Sequence, residues 1–394
     1  MVGFSVMSPE GIVTPSSFGM KAELGIHASN PFLVERGSTN DNFLLRYDER
    51  KRMKPMFFNN VAIEAVACAL PATVITSADI ESRLAGTMAR IGIKPGLIEG
   101  LTGIRERRFW DADQQASDVA TLAAEKVLAE SGVPRESIGC LISTSVSKDY
   151  IEPSVASLVH GNLGLADHCI NYDIGNACLG FVNAIASVGM MIDAGLLDYG
   201  LIVDGENSRE VVEATIDRLR KPDATPESFR DQFATLTLGS GAVAMIVCRR
   251  DLSRSGHRVN GAVTRAATRH CRLCLGQRDY MTADASKVLI FGVELAKQTW
   301  DLASSSLAKW SDAEIDAYMP HQVSQRNMDV LNEKLGLTPQ KHHLNFPTLG
   351  NIGPAAVPIT LCQAGESGRI RAGNHVALMG IGSGLNCSMM SVTW

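Results

Sequence analysis

INYDIGNACLGFVNAIASVGMMIDAG, residues 170–195, decides how the rest of the chain is read. It opens polar and tight at Asn171, Asp173, Gly175 and Asn176, then passes Cys178 into an apolar run. Leu179, Phe181, Val182, Ile185, Val188, Met190, Met191 and Ile192 would cover every face of a helix, and such a helix belongs inside a protein. Ala184, Ala186, Ser187 and Gly189 let neighbouring backbones come close. Asn176 is the expected N-cap and Gly195 the expected end. Cys178 would then sit in the first turn of a buried helix, where free N–H groups and the positive dipole end favour thiolate over thiol. A thiolate there is a nucleophile, with its own N–H aimed at any oxyanion formed beside it. The competing reading is an inert buried thiol, the commoner fate of a cysteine. Position alone does not decide between them.

Working outward, the 394 residues are 45% hydrophobic but only 6% aromatic, with 35 glycines, a mix that suits α/β layers packed through small residues. The length suits two domains or one doubled domain. A net charge of −5 without a long basic run argues against a nucleic-acid partner. No apolar stretch reaches the ~18 residues of a membrane span, and the N-terminus lacks signal-peptide features. Nine cysteines without a framework fit a reducing cytoplasm. A soluble cytoplasmic protein is expected.

Residues 1–55 stand apart. They hold SPEG, TPSS and RGSTND clusters, end in RYDERKRMKP and sustain no hydrophobic period. They read as a loosely ordered or peripheral extension, with Met56 a candidate original start. From Met56 helix-like and strand-like segments alternate, and the text looks doubled. SIGCLISTSVS (137–147) aligns with EIDAYMPHQVS (314–324). A Gly-Asn pair follows in each copy, Gly175-Asn176 and Gly350-Asn351. A strand lies 26 positions past each glycine, GLIVDG and HVALMG, and AVAMIVC and SMMSVTW close the copies. The expected organisation is two βαβ-rich halves, 56–251 and 252–394, with two sheets and helices between and outside them.

In a paired fold the equivalent loops of both halves meet at the centre. The first half brings Cys178; the second brings His321, directly after DAYMP, and Asn351, in LGNIGPAAVP. Thiol, imidazole and carboxamide are the parts needed for acyl transfer through a thioester. The imidazole exchanges a proton with sulfur or donates to an oxyanion, and the amide donates without titrating. A core histidine and a helix-capping asparagine are the alternatives for these two.

NACLGF, PHQVS and GNIGPAAVP resemble the three active-site motifs of thiolase-fold condensing enzymes, the group containing ketoacyl-ACP synthase III. LTGIRERRFW (101–110) and GIGSGLNCS (380–388) fit as well. The text at SVSKDYIEPS, YDIGNACLGF, VDGE, HQVS, GNIGPA and GIGSGLNCS is most similar to OleA-type enzymes, which begin bacterial long-chain olefin biosynthesis from acyl-CoA. The likeness runs from Met56 to Trp394.

The resemblance implies a thiolase-like α/β fold with a layered αβαβα core. It implies an acyltransferase in which Cys178 takes an acyl group from one long-chain acyl-CoA. A second acyl-CoA then loses an α-proton and attacks, a non-decarboxylative Claisen condensation to a 2-alkyl-3-ketoalkanoic acid. Glu152 is implied as the base, reaching in from the partner subunit of a homodimer. Physical sense agrees, since a desolvated carboxylate of near-neutral pKa suits a weakly acidic α-proton; an ordinary exposed loop glutamate is the alternative. His321 and Asn351 would hold the second thioester oxygen. The Cys178 N–H and a backbone N–H at Ser383 would hold the first. No resident cofactor or metal is implied, only coenzyme A thioesters as substrates, and downstream olefin-pathway enzymes are implied partners.

Departures from ketoacyl-ACP synthase III matter. Leu97 and Leu101 stand where that enzyme has the Trp and Arg that hold the CoA adenine, and HQVS and GNIG replace its HQAN and GNTS-type text. Arg105, Arg107 and Arg108 are then the candidates for CoA phosphates, a solvated basic turn being the alternative. Three competing functions stay open: a decarboxylative synthase III using malonyl-ACP, a catalytically silent partner subunit, and a hydrolase acting on the same acyl-enzyme. His270-Cys271-x-x-Cys274 lacks the second ligand pair a zinc site needs, and His342-His343 reads as a loop feature.

Overall fold

Ten strands form one mixed sheet in the computed structural model, which describes residues 54–394. The expected extension over 1–55 therefore lies, but for its last two residues, outside the described residues. In chain order the strands are β1 Met56–Phe57, β2 Val61–Ala69, β3 Ile138–Ser143, β4 Ile170–Asp173, β5 Tyr199–Glu206, β6 Gly241–Arg249, β7 His257–Ala266, β8 Ala317–Pro320, β9 His375–Gly382 and β10 Asn386–Thr393. They lie in the order β8-β9-β10-β7-β2-β6-β5-β3-β4, with β1 beside β7.

The order repeats. β3 pairs parallel with β5, β5 antiparallel with β6, and β6 antiparallel with β2. In the second segment β8 pairs parallel with β9, β9 antiparallel with β10, and β10 antiparallel with β7. β4, parallel to β3, has only a vestige opposite it, a single parallel bridge from Tyr318 to His342. His342-His343 is thus the stub of a strand rather than a loop ornament. His342 is buried there, its Nε2 2.7 Å from Asn332 Oδ1.

Two separate sheets were expected; the two β layers are instead hydrogen-bonded to each other along one seam. Ala62 and Ile63 of β2 pair antiparallel with Arg258 and His257 of β7, which carries hydrogen bonding across the seam. Each strand set would otherwise end there in an unpaired edge, and joining the edges satisfies those backbone groups.

Six helices matter for the site: α1 Ala116–Ser131, α2 Val155–Leu163, α3 Gly180–Asp193, α4 Ala285–Ser306, α5 Gln325–Leu335 and α6 Ala356–Glu366. The strands alternate with period two and are buried on both faces. Val243, Met245 and Val247 of β6, with Val376 and Leu378 of β9, enter the core shared with α3 and α6. Ala242, Ala244 and Ile246 face the opposite way, toward α1 and α2, while Ala377 and Met379 face α4. The result is a five-layer αβαβα stack with α3 and α6 in the middle, the thiolase-like arrangement.

α3 is seated closely on β5, because a Cβ on Gly200 would come within 2.5 Å of Val188 Cγ1. Gly200→Ala would wedge the two apart, an overpacking cost of about 1–3 kcal/mol. The apolar helix is not covered all round, however: Met190 is 50% exposed. Nor does Asn176 cap it. The Asn176 Nδ2 donates to Asn183 Oδ1 at 2.6 Å, and its Oδ1 accepts from Asn386 Nδ2 at 3.1 Å.

Candidate active site

Cys178 lies in a one-turn 3-10 segment, Ala177–Leu179, between β4 and α3. It precedes the helix rather than occupying its first turn. Ala177 has φ 45°, a left-handed conformation that costs an L side chain on the order of 1 kcal/mol and recurs where a functional turn must be held.

His321 follows β8 at once, and its N–H donates to Met379 O at 2.8 Å. The ring is buried and its Nδ1 has no partner among the described residues. Asn351 is held by its backbone, its N–H donating to Thr237 O at 3.0 Å and its carbonyl accepting from Gly239 N at 2.9 Å. Gly350, at φ 69°, supplies the left-handed step before it. The Asn351 Oδ1 accepts the Gly353 N–H at 3.1 Å, which turns the amide so that Nδ2 is left to donate elsewhere.

These loops converge. The Cys178 turn packs against the turn Gly353–Ala355 that follows Asn351, and against the end of β9, beside which β8 delivers His321. Contact is tight enough that a Cβ on Gly382 would stand 3.2 Å from Cys178 N and 3.1 Å from Leu179 N. Ser383 is the next residue, in the turn joining β9 to β10.

The electrostatics correct one expectation. Burial pushes the Cys178 thiol up to about 12, with Cys274 and the carboxyl groups of Glu206 and Asp204 acting the same way and its own N–H opposing. The dipole of a helix that starts two residues later does not overcome that desolvation. Burial also pushes His321 down to about 4. At neutral pH the two groups are therefore a thiol and an uncharged imidazole, the protonation states in which nitrogen can take a proton from sulfur as sulfur attacks.

Other candidates fall differently. Glu152 is exposed, in a segment with exposed Tyr150 and Ile151. Arg107 is not a phosphate ligand: it is fully buried, donating to Ser77 Oγ at 3.1 Å and Leu236 O at 3.0 Å, and burial lowers it to about 10. Arg108 donates to Pro71 O at 3.0 Å, and Arg105 alone of the three is exposed. Cys271 is exposed, while Cys274 is near enough to Cys178 to act on its charge. Sequence reasoning passed over Asp204 and Glu206, both buried under the site. Their signal was legible, since two carboxylates two apart in GLIVDGE share one face of an otherwise apolar strand.

Equivalent loops of an αβαβα fold, carrying a thiol, a neutral imidazole and a carboxamide and packed around the end of β9, are the arrangement of a thiolase-fold condensing enzyme. The model of the 3-oxoacyl-[acyl-carrier-protein] synthase III C-terminal family matches residues 306–394. The acyl-CoA:acyl-CoA alkyltransferase of Xanthomonas campestris pv. campestris is 45% identical over 339 residues, 86% of this chain and all of that relative. Its namesake in Shewanella oneidensis is 36% identical over 353 residues, again 86% of this chain and all of the relative. A crystal structure of a cysteine-to-serine variant of Xanthomonas campestris OleA, with bound lauric acid and lauroyl-CoA, matches with a TM-score of 0.84, covering 86% of this chain and 100% of that one at 45% identity. The chain belongs to the acyl-CoA:acyl-CoA alkyltransferase (OleA) family and is an acyltransferase of the thiolase superfamily.

Proposed function

We propose that this enzyme condenses two long-chain acyl-CoA molecules by a non-decarboxylative Claisen reaction. The Cys178 sulfur attacks the first thioester carbonyl, its proton passes through His321 to the departing CoA sulfur, and an acyl-Cys178 thioester remains. The α-proton of the second acyl-CoA goes to Glu152 of the partner subunit. The carbanion attacks the acyl-Cys178 carbonyl, breaking the bond to Cys178, which regains a proton. Water then cleaves the remaining CoA thioester, leaving the 2-alkyl-3-ketoalkanoic acid. Asn351 Nδ2 and His321 steady the enolate oxygen; the Cys178 N–H and the Ser383 N–H steady the tetrahedral oxyanion at the first carbonyl. Side chains and backbone donors cover every step, so no resident cofactor is invoked.

The observation that carries this reading is the packing of the Cys178 turn on the turn after Asn351 and on the end of β9, with Asn351 Oδ1 already held by the Gly353 N–H. The alkyltransferase names of the relatives favour acyl-CoA over malonyl-ACP as the second substrate. Tetradecanoyl-CoA supplied alone should release CoA and give the β-keto acid or its ketone; product that appears only with malonyl-ACP would transfer the chain to the decarboxylative reading. Glu152→Ala should still load acyl on Cys178 while forming no carbon–carbon bond.

A homodimer is part of the proposal. β4 is the outer strand of the sheet, and Ile170 on it is 52% exposed; Tyr150, Ile151 and Met190 are exposed as well. An open strand edge with an apolar rim suits twofold pairing with a second copy. The segment carrying Glu152 is tied to β4 at both ends, by Lys148 and by the Val155 and Ala156 N–H groups on Asp173. Nine unpaired cysteines support a reducing, cytoplasmic setting. Among the described residues no helix is long and apolar enough to cross a membrane.

A further inference from the structure

Glu206 ends β5, and its buried carboxyl group takes no part in the acyl-transfer steps above. Its Oε1 accepts the Val146 N–H at 2.6 Å, and its Oε2 accepts the Ser147 hydroxyl at 2.9 Å. Those two residues begin the segment that runs out to Tyr150, Ile151 and Glu152. The next two positions are tied down as well. Lys148 pairs with Asp173, and the Asp149 carboxylate accepts the Ser117 N–H at 3.0 Å. On its other side the Glu206 carboxyl group meets the turn after Asn351, where a Cβ built on Gly353 would stand 3.5 Å from Cδ and 3.7 Å from Oε2. The Gly353 N–H is the group that holds Asn351 Oδ1.

We infer that Glu206 is a positioning residue for the condensation step, seating both the segment that projects Glu152 and the turn that carries Asn351. The inference rests on reading Glu152 as the base. Proton abstraction and enolate stabilisation both depend on where these two groups stand, and a misplacement near 1 Å costs about a hundredfold in rate. Acyl loading of Cys178 uses neither Glu152 nor Asn351. A failed seat should therefore separate the two half-reactions.

The charged and titratable groups facing Glu206 are Asp204 on its own strand, Lys148 on the segment and Cys178 on the turn. Burial pushes Glu206 up to about 7, against the pull of Val146, Ser147 and Lys148. Below that pH the carboxyl group gains a proton and loses acceptor capacity. The side-chain amide of a Glu206→Gln variant would still accept from Val146 and would donate to Ser147 Oγ, with no titration.

The experiment measures acyl loading by intact mass and condensation by product for Glu206→Ala, Glu206→Gln and Ser147→Ala, all full-length with tetradecanoyl-CoA. Glu206→Ala should load acyl within about twofold of the parent and condense about 10–100-fold more slowly, so that acyl-enzyme accumulates. Ser147→Ala should show the same selectivity at smaller amplitude, and Glu206→Gln should recover to within a few fold. Loading and condensation falling in step in Glu206→Ala and Ser147→Ala, or condensation unchanged in all three, would overturn the inference. Glu152→Ala run alongside separates the failures. If it stops condensation while the Glu206 and Ser147 variants show no selectivity, only the role of Glu206 falls; if it condenses normally, the base assignment falls and takes this inference with it.

Discussion

At the scale of the residue, the resting state of Cys178 decides how the first half-reaction works. A thiol pushed up to about 12 holds almost no thiolate at neutral pH. Alkylation by iodoacetamide should then rise about tenfold per pH unit from 7 to 10. A plateau reached near pH 7 would mean a resting thiolate and would defeat the proton hand-off to His321. Gly382 offers a second test. A methyl there would lie 3.2 Å from Cys178 N, over the face where the oxyanion must sit. Gly382→Ala should slow acyl loading about 10²–10³-fold, the usual loss of one oxyanion donor, with little change in melting temperature. Pre-steady-state release of the first CoA is the measurement. The placing of Cys178, His321 and Asn351 at loop ends was legible because each sits in its own short motif after or between strands. The protonation state of the thiol was not, because desolvation belongs to the packed fold and local dipole reasoning cannot weigh it.

At the scale of the element, alternation carried more information than motif. The strand Glu106–Phe109 pairs with Thr73–Thr76, and its period-two pattern turns Arg107 inward with Phe109. Charge alone pointed Arg107 to a phosphate; parity with Phe109 pointed it to the interior. Arg107→Leu would leave the buried Leu236 carbonyl without its donor, while the Ser77 hydroxyl would keep its bond to Ile104 O, and should cost about 1–3 kcal/mol in denaturant unfolding, whereas Arg105→Ala should cost almost nothing. β4 supports a prediction of another kind. Ile170→Lys puts a charge on the open edge without disturbing the core, so it should yield a folded monomer on sedimentation. If Glu152 serves the partner's site, that monomer should load acyl on Cys178 and fail to condense. A monomer that condenses at the parent rate would remove the need for a second subunit. The doubled strand order was legible from spacing. The seam between β2 and β7 was not, since two backbone pairs joining distant segments leave no periodic trace.

At the scale of the whole molecule, buried ionisable groups make stability depend on pH in two opposing ways. His321 and His342 are each pushed down to about 4 by burial. The unfolded chain takes up those protons first, so their contribution is lost as pH falls from about 6.5 toward 4. Glu206 runs the other way. Its folded value near 7 lies above the unfolded carboxyl, so its contribution is present below about 4.5 and is lost as pH rises through 7. Each unit is worth about 1.4 kcal/mol, which makes the loss on the order of 3 kcal/mol by pH 8. Asp204, pushed up by burial and by Glu206, adds to it in the same direction. Glu206→Gln removes the titration while keeping the shape, so its melting temperature should exceed the parent's by several degrees at pH 8 and match it near pH 5. A difference that stays flat between those pH values would show that the carboxyl group is not held out of water at a cost. A real difference means that the chain retains a destabilising carboxylate under its active site, at the position where β5 meets both the Glu152 segment and the Asn351 turn. Packing gives no reason for that choice, because glutamine fits the same space; the few-fold of condensation rate that Glu206→Gln should fail to recover is what the carboxylate would add.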